Sequence, residues 1–180
     1  MNRPECPKEA VQQSSLSPGL VSDDEPIVYI LVDPLTVMNG SVKEFSKSQL
    51  KRGDLSVCRA KHCTTSEAER AIVQPLLSKP GRSFEGALWM PCQRIRSITL
   101  GESRVGAFCV IDDGLQDYRA HAVLAFSTPQ DEKLRNEREA ARGNLKDLFR
   151  ENGVQPRLAD CPFKSSGSET PADPSGSQPA

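Results

Sequence analysis

Short apolar runs recur through the middle of the chain and predict β-strands. Residues 27–32 form the β-branched run Ile-Val-Tyr-Ile-Leu-Val, which an Asp-Pro pair ends. Residues 55–60 and 86–90 are similar short runs next to Gly-containing turns. The pattern over 93–100 fits a strand or a helix, and we favour a strand.

Two further apolar runs, at 105–111 and 120–126, predict the centre of a sheet. Apolar residues occupy both sides of the first run, which is typical of a strand covered on both faces. A polar loop of eight residues joins the two runs. This short connection predicts an antiparallel pair.

Two segments have a helical pattern. A capping-box sequence at 64–67, followed by apolar residues at helical spacing, predicts a helix over 65–77 that Pro75 ends early. Residues 127–129, Ser-Thr-Pro, begin a second helix over 129–151 with one narrow apolar stripe. This stripe docks on the sheet or binds a partner protein, and docking is favoured because such a stripe normally faces its own core.

Composition divides the chain of 180 residues into four parts. Residues 1–26 and 154–180 are rich in Pro and polar residues, and they predict disordered tails. Residues 27–126 predict one α+β domain, with a single small, largely antiparallel sheet and one packed helix. Residues 127–153 predict an appended amphipathic helix.

Charge and hydropathy exclude several classes of protein. The 23 Lys and Arg nearly balance the 24 Asp and Glu, which argues against a nucleic-acid partner and against an acidic solvating chain. No apolar run approaches the ~18 residues of a membrane span. Residues 1–10 contain no hydrophobic stretch of the kind found in secretory signals. These patterns predict a soluble, cytoplasmic protein.

The cysteines give no framework for a metal site. There are six Cys and two His, and only Cys58, His62 and Cys63 cluster, whereas a zinc site normally repeats a tight knuckle. Without a secretory signal, an even number of Cys is no evidence for disulfides. Motifs for nucleotide phosphates, dinucleotides, a nucleophile elbow or a zinc protease do not occur. We therefore predict no metal and no cofactor.

Arg59 is the first candidate site residue. Strand alternation places it on the same face as Leu55 and Val57, where an unpaired arginine is costly. One interpretation is a guanidinium that binds the phosphate or carboxylate of a ligand. The other is that the strand ends at Cys58, so that Arg59 extends to water.

A second candidate site lies at the mouth of the hairpin. If Ile111 lies opposite Ala120, then Asp112, Arg119 and His121 share one face. Arg119 could bind a ligand there, and Asp112 and His121 could move a proton as catalytic residues. The alternative is an ordinary cross-strand charge pair beside a hydrogen-bonded histidine.

Several short motifs carry a resemblance. The run Leu55-Ser56-Val57-Cys58-Arg59, the Thr-Thr-Ser-Glu at 64–67 and the later Asp112 with Ala-His-Ala at 120–122 resemble small bacterial proteins of unknown function. Those proteins have an LSV-x-R strand and a late D…AHA element, with a proline where this chain has Arg119. The likeness covers about 28–126. It implies a bacterial source and groups Arg59, Asp112 and His121, and it implies no activity.

Two classes of function stay open. The favoured one is a non-enzymatic accessory or protein-interaction protein that binds a partner through the 129–151 helix. The alternative is an enzyme or binder that acts on a phosphate-bearing ligand, such as a nucleotide or RNA end, through Arg59, Asp112 and His121. This alternative requires Arg59 and His121 to lie on the same face of the sheet.

Overall fold

The computed structural model describes residues 6, 8, 9, 15, 16, 18–102, 105–128 and 132–165. Its strands are Pro26–Asp33 (β1), Val37–Met38 (β2), Ser41–Val42 (β3), Leu55–Arg59 (β4), Ser83–Pro91 (β5), Phe108–Asp112 (β6) and His121–Phe126 (β7). Its α-helices are Lys47–Arg52 (α1), Thr65–Ala68 (α2), Gln74–Leu77 (α3), Cys92–Arg96 (α4) and Arg135–Arg150 (α5). A π-helical turn spans Glu69–Val73, and 3-10 turns span Ala60–His62, Glu132–Leu134 and Leu158–Asp160.

An open antiparallel sheet of five strands, in the order β5-β1-β4-β7-β6, organises the fold. The α+β class and the antiparallel sheet predicted from the sequence are therefore confirmed. Apolar residues cover both faces of the sheet. Helices α4 and α5 pack on the face that carries Leu55 and Val57, while the helical segment 65–77 packs on the face that carries Cys58.

The hairpin of β6 and β7 forms, but its register differs from the predicted one. Ile111 lies opposite Val123 rather than Ala120, and Asp112 lies opposite Ala122. The two strands pair from Phe108 with Phe126 to Asp112 with Ala122, and residues 113–120 form the connection between them. The connecting loop therefore shifts the register by three residues.

The expected strand over 93–100 is wrong, because α4 occupies its first half. Cys92, Ile95 and Arg96 are buried at helical spacing, directly after the end of β5. This spacing turns one apolar stripe toward the core, as a short amphipathic helix does.

The predicted helix over 65–77 forms as α2, the π turn and α3 in sequence. Thr64 and Glu67 make a complete capping box at its start. Pro75 does not end the segment early, because it lies in the first turn of α3, where its missing N–H is tolerated. The π turn over Glu69–Val73 comes directly before α3, so this proline lies at the start of a new helical segment.

Helix α5 docks on the sheet, as the apolar stripe predicts. Ala141, Leu145 and Phe149 are buried in the same cluster as the sheet residues. The rings of Phe149 and Phe45 have centroids 5.4 Å apart. The predicted helix start at Pro129 lies outside the described residues.

Some residues that composition places in the tails are packed against the sheet. Val21, Glu25, Leu158 and Cys161 are buried. These buried residues are isolated within otherwise polar sequence, so average composition does not predict that they pack against the sheet. Residues 1–5, 7, 10–14, 17 and 166–180 of the predicted tails lie outside the described residues.

A buried ion cluster and a disulfide attach the N-terminal segment to the sheet. Arg96 donates to both carboxylate oxygens of Glu9, at 3.2 and 2.6 Å, and to Asp23 at 2.6 Å. Glu9 also accepts from the backbone N–H of Val110 at 2.8 Å. A disulfide joins Cys6 to Cys109 on β6.

Within the described ranges, no helix is long and apolar enough to cross a membrane.

Candidate functional site

Arg59 is the centre of a buried ion network. Its side chain is 1% exposed, and its guanidinium binds both carboxylate oxygens of Glu25, from Nε at 2.7 Å and from Nη2 at 2.9 Å. Nη1 lies 2.8 Å from the Asp112 carboxylate and donates to the carbonyl of Gly19 at 2.7 Å. The interpretation in which Arg59 extends to water is therefore wrong. Its anionic partners belong to the chain itself.

The network also shifts the pKa values of Arg59 and His62. Burial lowers the pKa of Arg59, but its hydrogen bonds to Glu25 and Asp112 outweigh burial, so the net shift is upward. Nε2 of His62 lies 3.2 Å from Nη2 of Arg59. Burial, together with the positive charge of Arg59, lowers the pKa of His62. The guanidinium is thus a structural cation, already neutralised by two carboxylates.

The structure does not bring His121 or Arg119 into this network. Along β4, Arg59 pairs with Ile27 and the preceding Cys58 pairs with His121. Because neighbouring strand residues point to opposite faces, His121 lies on the face opposite Arg59. Arg119 is exposed in the turn that precedes β7.

The predicted cluster of Asp112, Arg119 and His121 is therefore a wrong interpretation. Its error is the three-residue shift in register, which places Asp112 opposite Ala122, on the Arg59 face. A ligand site that uses Arg59 and His121 together fails because the two side chains lie on opposite faces of the sheet.

A pocket opens where β1 and β4 separate. Their ladder contains only the pairs Ile27 with Arg59 and Val28 with Cys58. A continued ladder would next pair Tyr29 with Val57 and Ile30 with Ser56. Instead, these residues line a cavity of about 590 Å³.

The walls of this pocket are mostly apolar, and its charge is low. The apolar wall comes from both strands, the segment 65–77 and the loop before β7, through Ile30, Val32, Leu55, Ile72, Leu76 and Leu115. The π turn supplies Ile72 and Ala71, and π turns are frequent at functional sites. Among the described residues that line the pocket, Glu44 is the one carboxylate, and there is no Lys or Arg.

At one end of the pocket, Ser56, His121 and Asp113 form a hydrogen-bonded chain. Nε2 of His121 lies 3.2 Å from Oγ of Ser56. Nδ1 of the same ring lies 2.9 Å from the backbone carbonyl of Asp113 and 3.3 Å from its carboxylate. Ser56 and His121 both line the pocket. The arrangement can hold and move a proton at the serine hydroxyl.

Buried thiols lie beside this chain. Sγ of Cys58 lies 3.1 Å from Sγ of Cys63, which lies 3.7 Å from the hydroxyl of Tyr118. Burial raises the pKa of Cys58 and of Tyr118, whereas the hydrogen bond with Cys58 lowers the pKa of Cys63. Cys58 and Tyr118, which line the pocket, are therefore neutral near pH 7.

Sequence reasoning missed Ser56 and Asp113. Ser56 alternates with Leu55 and Val57, so its place on the face of His121 follows once β4 is paired with β7. The partnership of Asp113 with His121 depends on the turn between β6 and β7, whose conformation no local motif predicts.

One group of potential metal ligands occurs within the described ranges. Ligand atoms of Cys6, Glu9 and Cys109 lie within 4.8 Å of one another. The two thiols form a disulfide and Glu9 binds Arg96, so these atoms are already occupied and do not fit a metal.

Comparison with family models, curated proteins and solved structures gives no match for this chain. The likeness to small bacterial proteins with a D…AHA element stays a prediction.

Proposed function

We propose that this domain binds a small, uncharged and mainly apolar molecule in the pocket between β1 and β4. The observation that carries the proposal is the early end of the β1–β4 ladder, which opens a cavity of about 590 Å³ inside the sheet. Cavities of ~300–1,000 Å³ with apolar walls and a few polar groups are typical of ligand sites.

The lining supports this class of ligand over a phosphate. A phosphate requires cationic or N–H donors, and the described residues of the lining include no Lys or Arg. Arg59, which the sequence suggested for that role, is already paired with Glu25 and Asp112. At the polar end of the pocket, Ser56 and His121 can form a hydrogen bond with an oxygen atom of an otherwise apolar molecule.

The other predictions about function remain proposals of their own. A role as an accessory protein with a protein partner would need the polar face of α5, because its apolar stripe packs on the sheet. Cytoplasmic location also stays a prediction, and the Cys6–Cys109 disulfide is compatible with an oxidising compartment.

A bulky side chain in the pocket should weaken ligand binding. We expect the neutral dye Nile red to gain fluorescence in a saturable manner with the full chain. Ala71→Trp places an indole against the apolar wall and should weaken dye binding at least ~10-fold, because it removes the space for the ligand. A fluorescence titration measures this change.

Ala140→Trp is the matched control, because Ala140 is exposed on α5. It should leave dye binding unchanged. Equal binding by the parent chain and Ala71→Trp, or no saturable binding, would overturn the proposal. A rise in melting temperature with inorganic phosphate or adenosine monophosphate would favour the phosphate class instead.

A further inference from the structure

We infer that Ser56 is a nucleophile for acyl transfer, activated by His121 and oriented through Asp113, and that the pocket takes an ester. This inference rests on the proposed binding site and names its substrate class: a neutral carboxylic ester with an apolar acyl or alkyl group. It is carried by the Ser56–His121–Asp113 chain at the end of the pocket.

The contacts of the His121 ring fix the position of its proton. Nδ1 faces two acceptors of Asp113, the backbone carbonyl and the carboxylate, so Nδ1 carries the hydrogen. Nε2 then has a lone pair directed at Oγ of Ser56, 3.2 Å away. The serine hydroxyl therefore donates to the imidazole, which is the arrangement that a general base requires.

The position of Ser56 also suits a nucleophile. Ser56 is exposed to the pocket opening, whereas its neighbours Leu55 and Val57 are buried. The N–H of Arg59 bonds to β7, at the carbonyl of Ala120, so alternation along β4 directs the N–H of Ser56 toward β1. The ladder has already ended there, so this N–H faces the cavity as a donor for a developing oxyanion.

The reaction follows from these positions. Oγ of Ser56 attacks the ester carbonyl carbon while its proton passes to Nε2 of His121. The bond from carbon to the alcohol oxygen then breaks, and the imidazolium returns the proton to that oxygen, which releases the alcohol. Water attacks the acyl-serine with His121 again as base, which releases the carboxylic acid and restores Ser56.

Two probes test the inference on the full chain. We expect p-nitrophenyl butyrate to be hydrolysed with release of p-nitrophenolate, and an alkyl fluorophosphonate to add covalently at Ser56, as located by peptide mass spectrometry. Ser56→Ala should abolish labelling and lower kcat/KM for the butyrate at least ~100-fold, as should His121→Gln. Ser83→Ala is the matched control, because Ser83 is an exposed strand serine outside the pocket, and it should retain both signals.

Asp113 is a positioning residue, and its variant has a separate readout. Asp113→Asn retains the backbone carbonyl that holds Nδ1, so we expect kcat to fall ~10-fold with KM unchanged. A rise in KM alone would assign Asp113 to substrate binding and overturn its role in orienting His121.

The outcomes separate this inference from the proposed binding function. Saturable Nile red binding without ester hydrolysis, or with labelling at another residue, would overturn the nucleophile and leave the ligand site. Ser56→Ala that binds Nile red normally but does not hydrolyse the ester would support both. If the parent chain did not bind Nile red, the proposed ligand site itself would be wrong.

Discussion

Replacing Arg59 by Met should destabilise the protein by about 3–5 kcal/mol, because it leaves buried carboxylates without their cation. Glu25 is 1% exposed and Asp112 is 6% exposed, so water cannot take over the role of the guanidinium. Since small domains have a total stability of only ~5–15 kcal/mol, the variant would be marginally folded. Urea unfolding followed by the fluorescence of Trp89, the sole tryptophan, measures the loss.

Two variants separate the buried charge from the loss of side-chain volume. A triple variant, Glu25→Gln with Arg59→Met and Asp112→Asn, removes all three charges and should be more stable than Arg59→Met alone. Arg52→Met breaks an exposed pair with Asp54 and should change the free energy of unfolding by less than ~1 kcal/mol. If Arg59→Met were as mild as Arg52→Met, the network would be unimportant for stability.

Phe149→Ala should also destabilise the protein strongly, by about 3–5 kcal/mol. Phe149 is 0% exposed and contacts the ring of Phe45, so its removal leaves a cavity between α5 and the sheet. The same urea titration measures the effect.

The neighbouring Arg150 provides the control for Phe149, because it is exposed on the same turn of α5. Arg150→Ala should lie within about 0.5 kcal/mol of the parent. A small effect of Phe149→Ala would mean that α5 is not an integral layer of the fold. That result would support the alternative prediction that this helix binds a partner protein.

The strands and the docked helix could be predicted from the sequence because their signal is local. The apolar run in β1, the capping box at Thr64 and the stripe of α5 each lie within a few residues. Helix α4 was missed because its five residues are too few to separate a helical period from a strand period.

The candidate site was harder to predict from the sequence, because it depends on strand register and on the early end of the pairing between β1 and β4. The physical argument for Arg59, that a buried guanidinium needs an anion, was correct, but the anions are Glu25 and Asp112. The role of Ser56 needs two non-local facts, the pairing of β4 with β7 and the separation of β1 from β4. Neither fact has a local sequence signature.

Arg59 and Arg96, two of the buried arginines, bear on where the folded unit of this protein starts. Both have counter-charges upstream: Arg59 binds Glu25, in addition to Asp112 on β6, and Arg96 binds Glu9 and Asp23. Buried ion pairs thus attach the N-terminal segment to the sheet, together with the Cys6–Cys109 disulfide and the buried Val21. A chain trimmed to start at residue 27 would leave the buried Arg96 without Glu9 and Asp23, and Arg59 with Asp112 but without Glu25. These upstream acidic residues are therefore part of the folded domain despite their tail-like composition.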